Sequence, residues 1–288
     1  MISFIDFNSV GKGLGNSLFQ YAFLRSSAER LGVQFYCPEW IGDHIFLLND
    51  QKERAAKPEG INKKYVEPRK NCGFNPSALD IEDGIDIRGF FQTERYLDKT
   101  AVKKWYTFKD EKIRPVKEKY RHIDFSEAVG LHLRFGDKKL RAQYVIPAKN
   151  YYIKALKKIK HKKHVLVFSD EPEHAKKHIK NLKGNLSFME GNEAYEDLYL
   201  MARCRDFICS SSTLSWWGAW LNNHSDKTIV APKEWLRPGY ACQNHDLLCD
   251  GWLEIQTYTP FLDNYRVVLW KKKIGRIKDR ILTRLTGS

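Results

Sequence analysis

The sequence contains few cysteines, and they are far apart. Six cysteines occur among 288 residues, and no two of them form a C-x-x-C pair. This spacing argues against a zinc ribbon and against a dense disulfide framework. We therefore expect reduced thiols that are packed in the core.

Long apolar segments are missing as well. No run of eighteen apolar residues occurs, and the first seven residues lack the basic start and long apolar core of a secretory signal. We expect a cytoplasmic protein that is soluble or bound peripherally at the cytoplasmic face of a membrane. With 42% hydrophobic residues, the chain is long enough for two domains of roughly 100 to 150 residues each.

Acidic residues are scarce near the C-terminus. In residues 266–288 only Asp279 is acidic, against eight Lys and Arg residues, so this segment carries half of the net charge of +14. Ile274, Ile277 and Ile281 recur at helical spacing and leave a basic face opposite. The pattern fits a helix on a membrane surface and equally a terminal helix docked on the body. No nucleic-acid-binding motif accompanies the charge, so nucleic acid is not an expected partner.

The glycine-rich stretch GKGLGN, residues 11–16, lacks one glycine of a known fingerprint. Asn16 stands where the dinucleotide-binding pattern G-x-G-x-x-G requires its third glycine. An NAD(P)-dependent oxidoreductase is therefore disfavoured. The apolar run at residues 2–7 predicts a buried strand before this stretch, and residues 16–31 predict a helix after it. Residues 85–92 predict a further strand.

The second half of the chain has a regular pattern of strands and helices. Strands are predicted at 129–134, 164–168, 186–188, 206–209 and 228–231, alternating with helices near 148–160, 172–181, 194–203 and 214–222. Such alternation predicts a parallel sheet with helices on both faces and with ligands at the carboxyl ends of its strands. We expect a nucleotide-binding layer domain here.

Polar residues follow two of these predicted strands. In VGLHLRFGD, residues 129–137, alternation puts His132 and Arg134 on the same face. A guanidinium at a strand end can fork onto a diphosphate, or it can pair with a carboxylate such as Asp137. In VLVFSDEP, Asp170 could accept the paired N–H groups of a purine such as guanine, but a helix N-cap is the favoured interpretation.

A hydroxyl-rich segment opens the last predicted helix. In CSSSTLSWWGAW, the four residues Ser210 to Thr213 precede an apolar helix pattern. Amide N–H groups at a helix N-terminus and adjacent hydroxyls form an anion site, so a phosphate is expected there. Trp216, Trp217 and Trp220 are expected to pack in the core rather than to stack on a ligand.

These motifs resemble those of one enzyme family. HLRFGD, FSDEP and EDLYLMARCRDFICSSSTLSWWGAWL resemble the donor-site motifs of the α-1,2-fucosyltransferases of glycosyltransferase family 11. GLGNSLFQYAF resembles the N-terminal signature of that family, and GFFQTERY resembles its Gly-Tyr-Phe-Gln segment. The matches follow the family's order from residue 11 to about residue 236, which makes chance a poor explanation.

The resemblance implies an α/β, GT-B-like fold of two Rossmann-like domains facing a cleft. We expect an acceptor-side domain at residues 1–124, a domain that binds the GDP-sugar at 125–265 and a basic amphipathic tail at 266–288. The implied enzyme is a galactoside α-1,2-fucosyltransferase that moves L-fucose from GDP-fucose to the 2-hydroxyl of a terminal galactose. Its acceptor is a glycan, assembled at a membrane and in some cases lipid-linked. The alternatives are a transferase for another GDP-sugar and a non-enzymatic polyanion-binding module.

The resemblance also assigns residues. Arg134 is expected at the diphosphate, and His132 and Asp170 near the guanine. The resemblance does not assign the base that takes the acceptor hydroxyl proton; our candidate is Asp137, with Glu94 as the second candidate, and either could instead be structural or orient the acceptor. The remaining implied donor-binding residues are Ser211, Ser212 and Thr213 at the phosphate, and Gly13, Gly15 and Asn16 in a loop facing the donor. The glycines of this loop would let the backbone approach the sugar and the phosphates closely.

Two features concern charge at the donor. The family commonly has a second arginine after the one at position 134, but this chain has Phe135, so diphosphate contacts could shift to Lys138, Lys139 or Arg141 or the acceptor fit could change. No two aspartates are spaced as D-x-D, the metal clamp of many glycosyltransferases. We therefore expect metal-independent transfer, with no cofactor besides the donor substrate. A single displacement would invert the β-linked fucose of the donor into an α-fucoside.

Overall fold

Two parallel sheets organise the chain. The computed structural model describes residues 1–9, 13–68, 73–160, 163–239 and 246–257. The first sheet consists of β1 (Ile2–Ser3), β2 (Phe35–Tyr36), β3 (Lys63–Val66) and β4 (Ile85–Arg88). Its strand order is β2-β1-β4-β3, and all of its pairs are parallel.

The second sheet has six parallel strands. They are β5 (Ala128–Leu133), β6 (His164–Ser169), β7 (Leu186–Met189), β8 (Asp206–Ile208), β9 (Ile229–Pro232) and β10 (Leu253–Ile255). Their order is β10-β9-β8-β5-β6-β7. The chain thus builds one side of the sheet from β5 to β7 and then returns to the other side at β8.

Eight α-helices accompany the sheets in the described residues. They are α1 (Leu14–Leu31), α2 (Ile41–Ile45), α3 (Lys99–Trp105), α4 (Asp110–Lys119), α5 (Lys149–Lys158), α6 (Pro172–His178), α7 (Ala194–Arg203) and α8 (Thr213–Trp220). Local signals set several of their starts. Asp98 caps α3 by accepting from the Thr100 and Ala101 amides, and a proline at the first position opens α6.

Helices cover both faces of the second sheet. Val129, Leu131 and Leu133 of β5 pack with α5 and α6 on one face. On the other face Ala128 and Phe207 pack with α4, α7 and α8. All six residues of β5 are buried, which is typical of a central strand in a parallel sheet. The predicted parallel sheet with helices on both faces is confirmed, and its predicted strands agree with β5 to β9 within a few residues.

The predicted strands of the first half were too long. The strand predicted at residues 2–7 ends at Ser3, and a turn follows at residues 5–9. Phe4 precedes this turn and Phe7 lies within it; both are buried, and their rings pack edge to face. The apolar run therefore reflects core packing rather than strand length. The strand predicted at 85–92 ends at Arg88 because the Phe90 and Phe91 amides donate to the Glu67 carboxylate.

The two halves share an aromatic contact between α1 and α8. The Phe19 ring lies 4.5 Å from the Trp216 ring and 4.7 Å from the Trp217 ring, measured between centroids. The indole N–H of Trp217 donates to the Gly15 carbonyl at 2.9 Å. The predicted packing role of the tryptophans is confirmed. The helix α4 lies before residue 124, in the predicted first domain, but its side chains pack in the core of the second sheet.

Several sequence predictions concern the cysteines, the termini and membrane crossing. Cys37, Cys204, Cys209 and Cys249 are buried free thiols, as expected. Cys72, Cys242 and the basic tail at 266–288 lie outside the described residues. In the described ranges, every helix is too short or too polar to traverse a bilayer.

Candidate functional site

The topology of the second sheet defines where a ligand would bind. The chain leaves β5 toward β6 on one side and later returns to β8 on its other side. The carboxyl ends of β5 and β8 therefore border the crevice at which strand order reverses, the usual ligand position in open α/β sheets. His132 and Arg134 lie at the end of β5, and the hydroxyl-rich turn Ser210 to Ser212 follows β8.

His132 connects the two strand ends. Its imidazole is buried, and Nδ1 lies 2.7 Å from the Ser210 hydroxyl. Burial and the positive charges of Arg134 and Lys138 lower the pKa of His132 to about 3. The imidazole is therefore neutral near pH 7. His132 can orient Ser210 and exchange hydrogen bonds with a neutral group, but it adds no positive charge to the crevice.

The turn before α8 presents backbone and hydroxyl groups. Ser210, Ser211 and Ser212 are buried, and the Ser210 amide donates to the Ser215 hydroxyl. Ser212 occupies the N-cap position without making a side-chain capping bond. Ser211 Oγ is buried and has no hydrogen-bond partner among the described residues. First-turn amides and an available hydroxyl are the groups that bind a phosphate at a helix N-terminus.

The glycine loop contacts this same turn. A Cβ at Gly15 would lie 2.4 Å from the Leu214 amide nitrogen and 2.6 Å from Thr213 Oγ1. Glycine is required there because α1 begins against the first turn of α8. A Cβ at Gly13 would meet nothing within 4 Å. Asn16, the third residue assigned to this loop, accepts a hydrogen bond from Gln92 at 2.9 Å, which joins the loop to the GFFQ segment.

Two carboxylates orient Arg134. Its Nη1 lies 3.1 Å from Asp170 Oδ2, and its Nη2 lies 3.3 Å from Asp137 Oδ1. The side chain is 37% exposed. A guanidinium has five N–H donors, so these two contacts leave others for a ligand. The sequence allowed either a ligand or a carboxylate as the partner of Arg134, and the structure shows that the carboxylate pairing exists.

The favoured interpretation of Asp170 as a helix cap is wrong. Glu171 occupies the N-cap position of α6. Asp170 instead accepts from the Phe135 amide at 3.0 Å and binds Arg134. It thereby fixes the turn after β5, in which Gly136 has a positive φ of 23° and a Cβ would lie 2.5 Å from Asp170 Oδ2. Local sequence could not reveal this role, because the partners belong to another strand.

The side chain at position 135 points away from the crevice. The Phe135 ring is buried and packs edge to face on His174 and His178, at centroid distances of 4.4 and 5.1 Å. It shares a cluster with Leu131 and Leu133 on the α5 and α6 face. The replacement of an arginine by Phe135 thus puts an aromatic ring into the core beneath the sheet.

The turn Gly136–Leu140 carries the cations that the sequence offered as substitutes. Lys139 binds Glu171, and Arg141 lies 3.7 Å from Asp137. Lys138 is half-buried, and its amine lies 4.6 Å from the Tyr144 ring and 5.6 Å from the Trp235 ring. Burial and the charge of Arg134 lower the pKa of Lys138 to about 7. Local sequence could not indicate the Trp235 contact, since Trp235 is distant from Lys138 along the chain.

The two candidate bases have different surroundings. Asp137 is 49% exposed and contacts Arg134 and Arg141. Glu94 accepts from the Trp220 indole at 3.1 Å and binds Lys99 at 3.0 Å. Trp220 is at the end of α8 opposite the hydroxyl-rich turn, on the order of 12 Å away at 1.5 Å per residue. Glu94 is thus tied to the far end of α8.

Metal-ligating side chains do not converge in the part of the chain that the structure describes. No group of three or more His, Cys, Asp or Glu residues there has a metal-binding arrangement. Charged groups in the turns beside the crevice include Arg134, Lys138, Asp137 and Asp170.

Comparison with known families identifies the chain. The model of glycosyl transferase family 11 matches residues 89–256, which is more than half of the chain. The chain belongs to glycosyl transferase family 11. The match covers both strand ends, the Arg134 turn and α8, while the glycine loop precedes it. The resemblance inferred from the motifs is confirmed, and this family 11 protein is a glycosyltransferase.

Curated relatives of this family 11 protein are bacterial glycosyltransferases. An alpha-1,2-colitosyltransferase from Escherichia coli is 27% identical over 264 residues, covering 78% of this chain and 90% of that protein. The O-antigen biosynthesis glycosyltransferase WbnK, also from Escherichia coli, is 27% identical over 214 residues, covering 68% and 69%.

Solved structures share the fold of this family 11 protein. POFUT1 in complex with GDP-fucose matches with a TM-score of 0.51 and 13% identity, covering 79% of this chain and 96% of that chain. The apo form of POFUT1 matches with a TM-score of 0.54 and 13% identity, covering 80% and 97%. The predicted GT-B-like α/β fold is confirmed.

Proposed function

We propose that this chain transfers L-fucose from GDP-fucose to the 2-hydroxyl of a terminal galactose, or of a similar sugar, on a glycan. One observation carries the proposal. The Arg134 guanidinium and the N-terminal turn of α8 border the same crevice, between the carboxyl ends of β5 and β8. Both elements favour anions, and both are fixed by contacts within the protein.

The chemistry of transfer requires such a pair of elements. Breaking the bond between the anomeric carbon and the diphosphate leaves negative charge on the phosphate oxygens. Arg134 and the first-turn amides of α8 would stabilise this charge as it develops. Ser211 Oγ, buried and without a partner among the described residues, would donate a further hydrogen bond.

The acceptor step is proposed as a single displacement. The acceptor hydroxyl oxygen forms a bond to the anomeric carbon, the electrons of the breaking bond pass to the β-phosphate, and GDP leaves. The configuration at the anomeric carbon is inverted. We assign Asp137 as the base that takes the hydroxyl proton, because its carboxylate is half exposed beside Arg134. Glu94 is bound by Lys99 and Trp220, which favours a structural role for it and leaves it as the second candidate.

Transfer is proposed to need no metal ion. The support is that cationic side chains and helix amides border the proposed diphosphate position, while the sequence contains no D-x-D spacing. We propose residues 1–124 as the acceptor side and residues 125–265 as the donor side. The contact of the Gly13 to Asn16 loop with α8 would put acceptor-side backbone next to the donor.

A second donor sugar is the alternative. GDP-fucose is the ligand in the POFUT1 structure with a similar fold, which supports a GDP-sugar at the second sheet. One relative, however, is named for the transfer of colitose in an alpha-1,2 linkage. The same diphosphate site would serve either sugar, since the proposed contacts are to phosphates.

A donor screen tests the proposal. GDP release is followed for several sugar nucleotides with galactose-terminated acceptors, with and without EDTA. We expect turnover with GDP-fucose, an α-1,2 product by NMR and no loss in EDTA. Turnover only with another GDP-sugar would select the alternative. Salt-sensitive binding of DNA or RNA without any turnover would instead indicate a polyanion-binding module, and a cofactor absorbance change would indicate an oxidoreductase.

A further inference from the structure

We propose that Lys138 binds the diphosphate of the donor as the second cation beside Arg134. This inference rests on the proposed function and deepens it, because it assigns a residue to the same site. The sequence offered Lys138, Lys139 and Arg141 without distinguishing among them. Their contacts in the structure distinguish them.

Ion pairing separates Lys138 from its neighbours. Arg134 binds Asp137 and Asp170, Lys139 binds Glu171, and Arg141 contacts Asp137. Within the described ranges, Lys138 makes no ion pair with a carboxylate. All three neighbouring cations are thus paired with carboxylates, and Lys138 is left with its amine available to another anion.

Aromatic rings fix the direction of the Lys138 amine. Nζ lies 4.6 Å from the centre of the Tyr144 ring and 5.6 Å from that of Trp235. The two residues come from segments that pair side by side, since the Val145 amide donates to the Trp235 carbonyl at 2.9 Å and Tyr144 forms a bridge with Leu236. The attraction between an ammonium group and a ring face is weak. An incoming phosphate would therefore bind the Lys138 amine more strongly than the two rings do.

The charge of Lys138 acts at the strand reversal. It contributes to the lowered pKa of His132, the residue that bonds to Ser210. The charged groups that act on Lys138 are Arg134, which opposes its protonation, and Asp137 and Asp170, which favour it. Lys138 therefore lies within electrostatic range of the groups that border the crevice, on the β5 side opposite the α8 turn.

Binding should consequently depend on pH. Burial and Arg134 lower the pKa of Lys138 to about 7, whereas a bound diphosphate would raise that pKa again. Below pH 7 the amine is already charged when GDP arrives. Above pH 7 a proton must be taken up on binding, so affinity falls by up to about tenfold for each pH unit until the pKa of the bound state is reached.

Calorimetric titration of the full chain with GDP and with guanosine tests the assignment. The proteins are wild type, Lys138→Met, Lys138→Arg and the matched control Lys139→Met, whose lysine is paired with Glu171. At about pH 6 we expect Lys138→Met to bind GDP roughly tenfold more weakly, the loss of one charge-assisted contact, and to bind guanosine as wild type does. Lys139→Met should match wild type for both ligands.

The pH dependence separates binding from a structural role. Between about pH 6 and about pH 8 the ratio of wild-type to Lys138→Met affinity should fall toward one, because the wild-type amine loses its charge. The titration of GDP itself is common to all variants and cancels in this ratio. Lys138→Arg keeps its charge throughout, so its affinity relative to Lys138→Met should stay constant. Even if Lys138→Met does not fold, the ratio of Lys138→Arg to wild-type affinity should rise between about pH 6 and about pH 8, because only the wild-type amine loses its charge. A constant ratio would contradict the assignment.

Two results would overturn the inference in different ways. If wild type binds GDP and Lys138→Met binds it equally at both pH values, Lys138 is not a phosphate ligand and the proposed function stands. If wild type binds no GDP and releases none in the donor screen, the proposed function and this inference fail together.

Discussion

At the residue scale, Asp170 determines how Arg134 is presented. Its carboxylate joins the Phe135 amide to the Arg134 guanidinium, and Asp137 binds the other end of the fork. An unrestrained arginine would lose about 2 kcal/mol of rotamer entropy on ordering. The two carboxylates already restrict the rotamers of Arg134 in the free protein, so less entropy is lost when a ligand binds. Arg134 is therefore held in one orientation beside the crevice before any ligand binds.

Replacing Arg134 should impair transfer much more than folding. Arg134→Ala removes a charge that stabilises the leaving phosphate, and we expect kcat to fall by about 10² to 10³. The measurement is GDP release at saturating donor. The control is Arg121→Ala, because Arg121 is a well-exposed surface residue paired with Glu118. A near wild-type rate for Arg134→Ala would show that the site is wrongly assigned.

A double-mutant cycle with Asp170 belongs to the same prediction. If Asp170 acts by positioning Arg134, Asp170→Ala should lower kcat in wild type and have little further effect in Arg134→Ala. If Asp170 instead forms hydrogen bonds with guanine, its replacement should raise the donor KM and relax the preference for guanine both in wild type and in Arg134→Ala. Additive losses in kcat would contradict the positioning role.

At the scale of elements, α8 has two separate contacts. Its first turn, which begins at Thr213, borders the crevice together with the preceding Ser211, and its flank packs against Phe19 through Trp216 and Trp217. The position of α8 relative to α1 therefore sets the position of the backbone amides and hydroxyls that are proposed to bind phosphate. Disturbing the contact between the two helices should affect stability and transfer together.

Gly15→Ala tests this coupling. The new methyl group would overlap the backbone of Thr213 and Leu214, which cannot rotate away. We expect a destabilisation of about 1–3 kcal/mol and reduced GDP release. Thermal unfolding gives the first quantity and the donor assay gives the second. Gly13→Ala is the matched control for stability, since that position is open and its φ of 176° suits any residue; it should change stability by less than about 0.5 kcal/mol. Equal unfolding temperatures for the two variants would refute the close contact.

The elements also show what sequence can and cannot predict. β6 and β9 were predictable because buried parallel strands are short apolar runs bounded by polar turns, and β5 because Val129, Leu131 and Leu133 alternate along it. The strands β1 and β2 have two residues each, too few for a periodic pattern. Asp170 was misinterpreted because a local rule, helix capping, competed with partners on a neighbouring strand. Of the two rings near Lys138, Trp235 comes from a distant segment, so sequence spacing carries no information about that contact.

At the scale of the whole molecule, positive charge is concentrated at one terminus. Residues 266–288 carry eight Lys and Arg residues against Asp279. Clustered basic residues are attracted to anionic lipid by about 1 kcal/mol each near the surface. We propose peripheral membrane contact through this segment, which would bring the enzyme to a lipid-linked acceptor.

Vesicle sedimentation tests the membrane contact. The full chain and a variant without residues 266–288 are incubated with vesicles containing anionic lipid. We expect the full chain to sediment, less so at high salt, and the shortened chain to stay in solution. A variant with Lys271, Lys272 and Lys273 changed to Gln should be intermediate. Equal sedimentation of both forms would exclude the segment from this role and favour a helix docked on the body.

The aromatic contact between α1 and α8 limits the motions available for substrate binding and product release. Swinging the sheets apart at this point would bring Phe19, Trp216 and Trp217 into water, and exposing a large apolar side chain costs about 1.5–3 kcal/mol. The aromatic contact between α1 and α8 thus opposes a wide hinge movement of the two halves. We therefore expect ligand entry and release to involve the turns at the carboxyl ends of β5 and β8 more than separation of the two sheets.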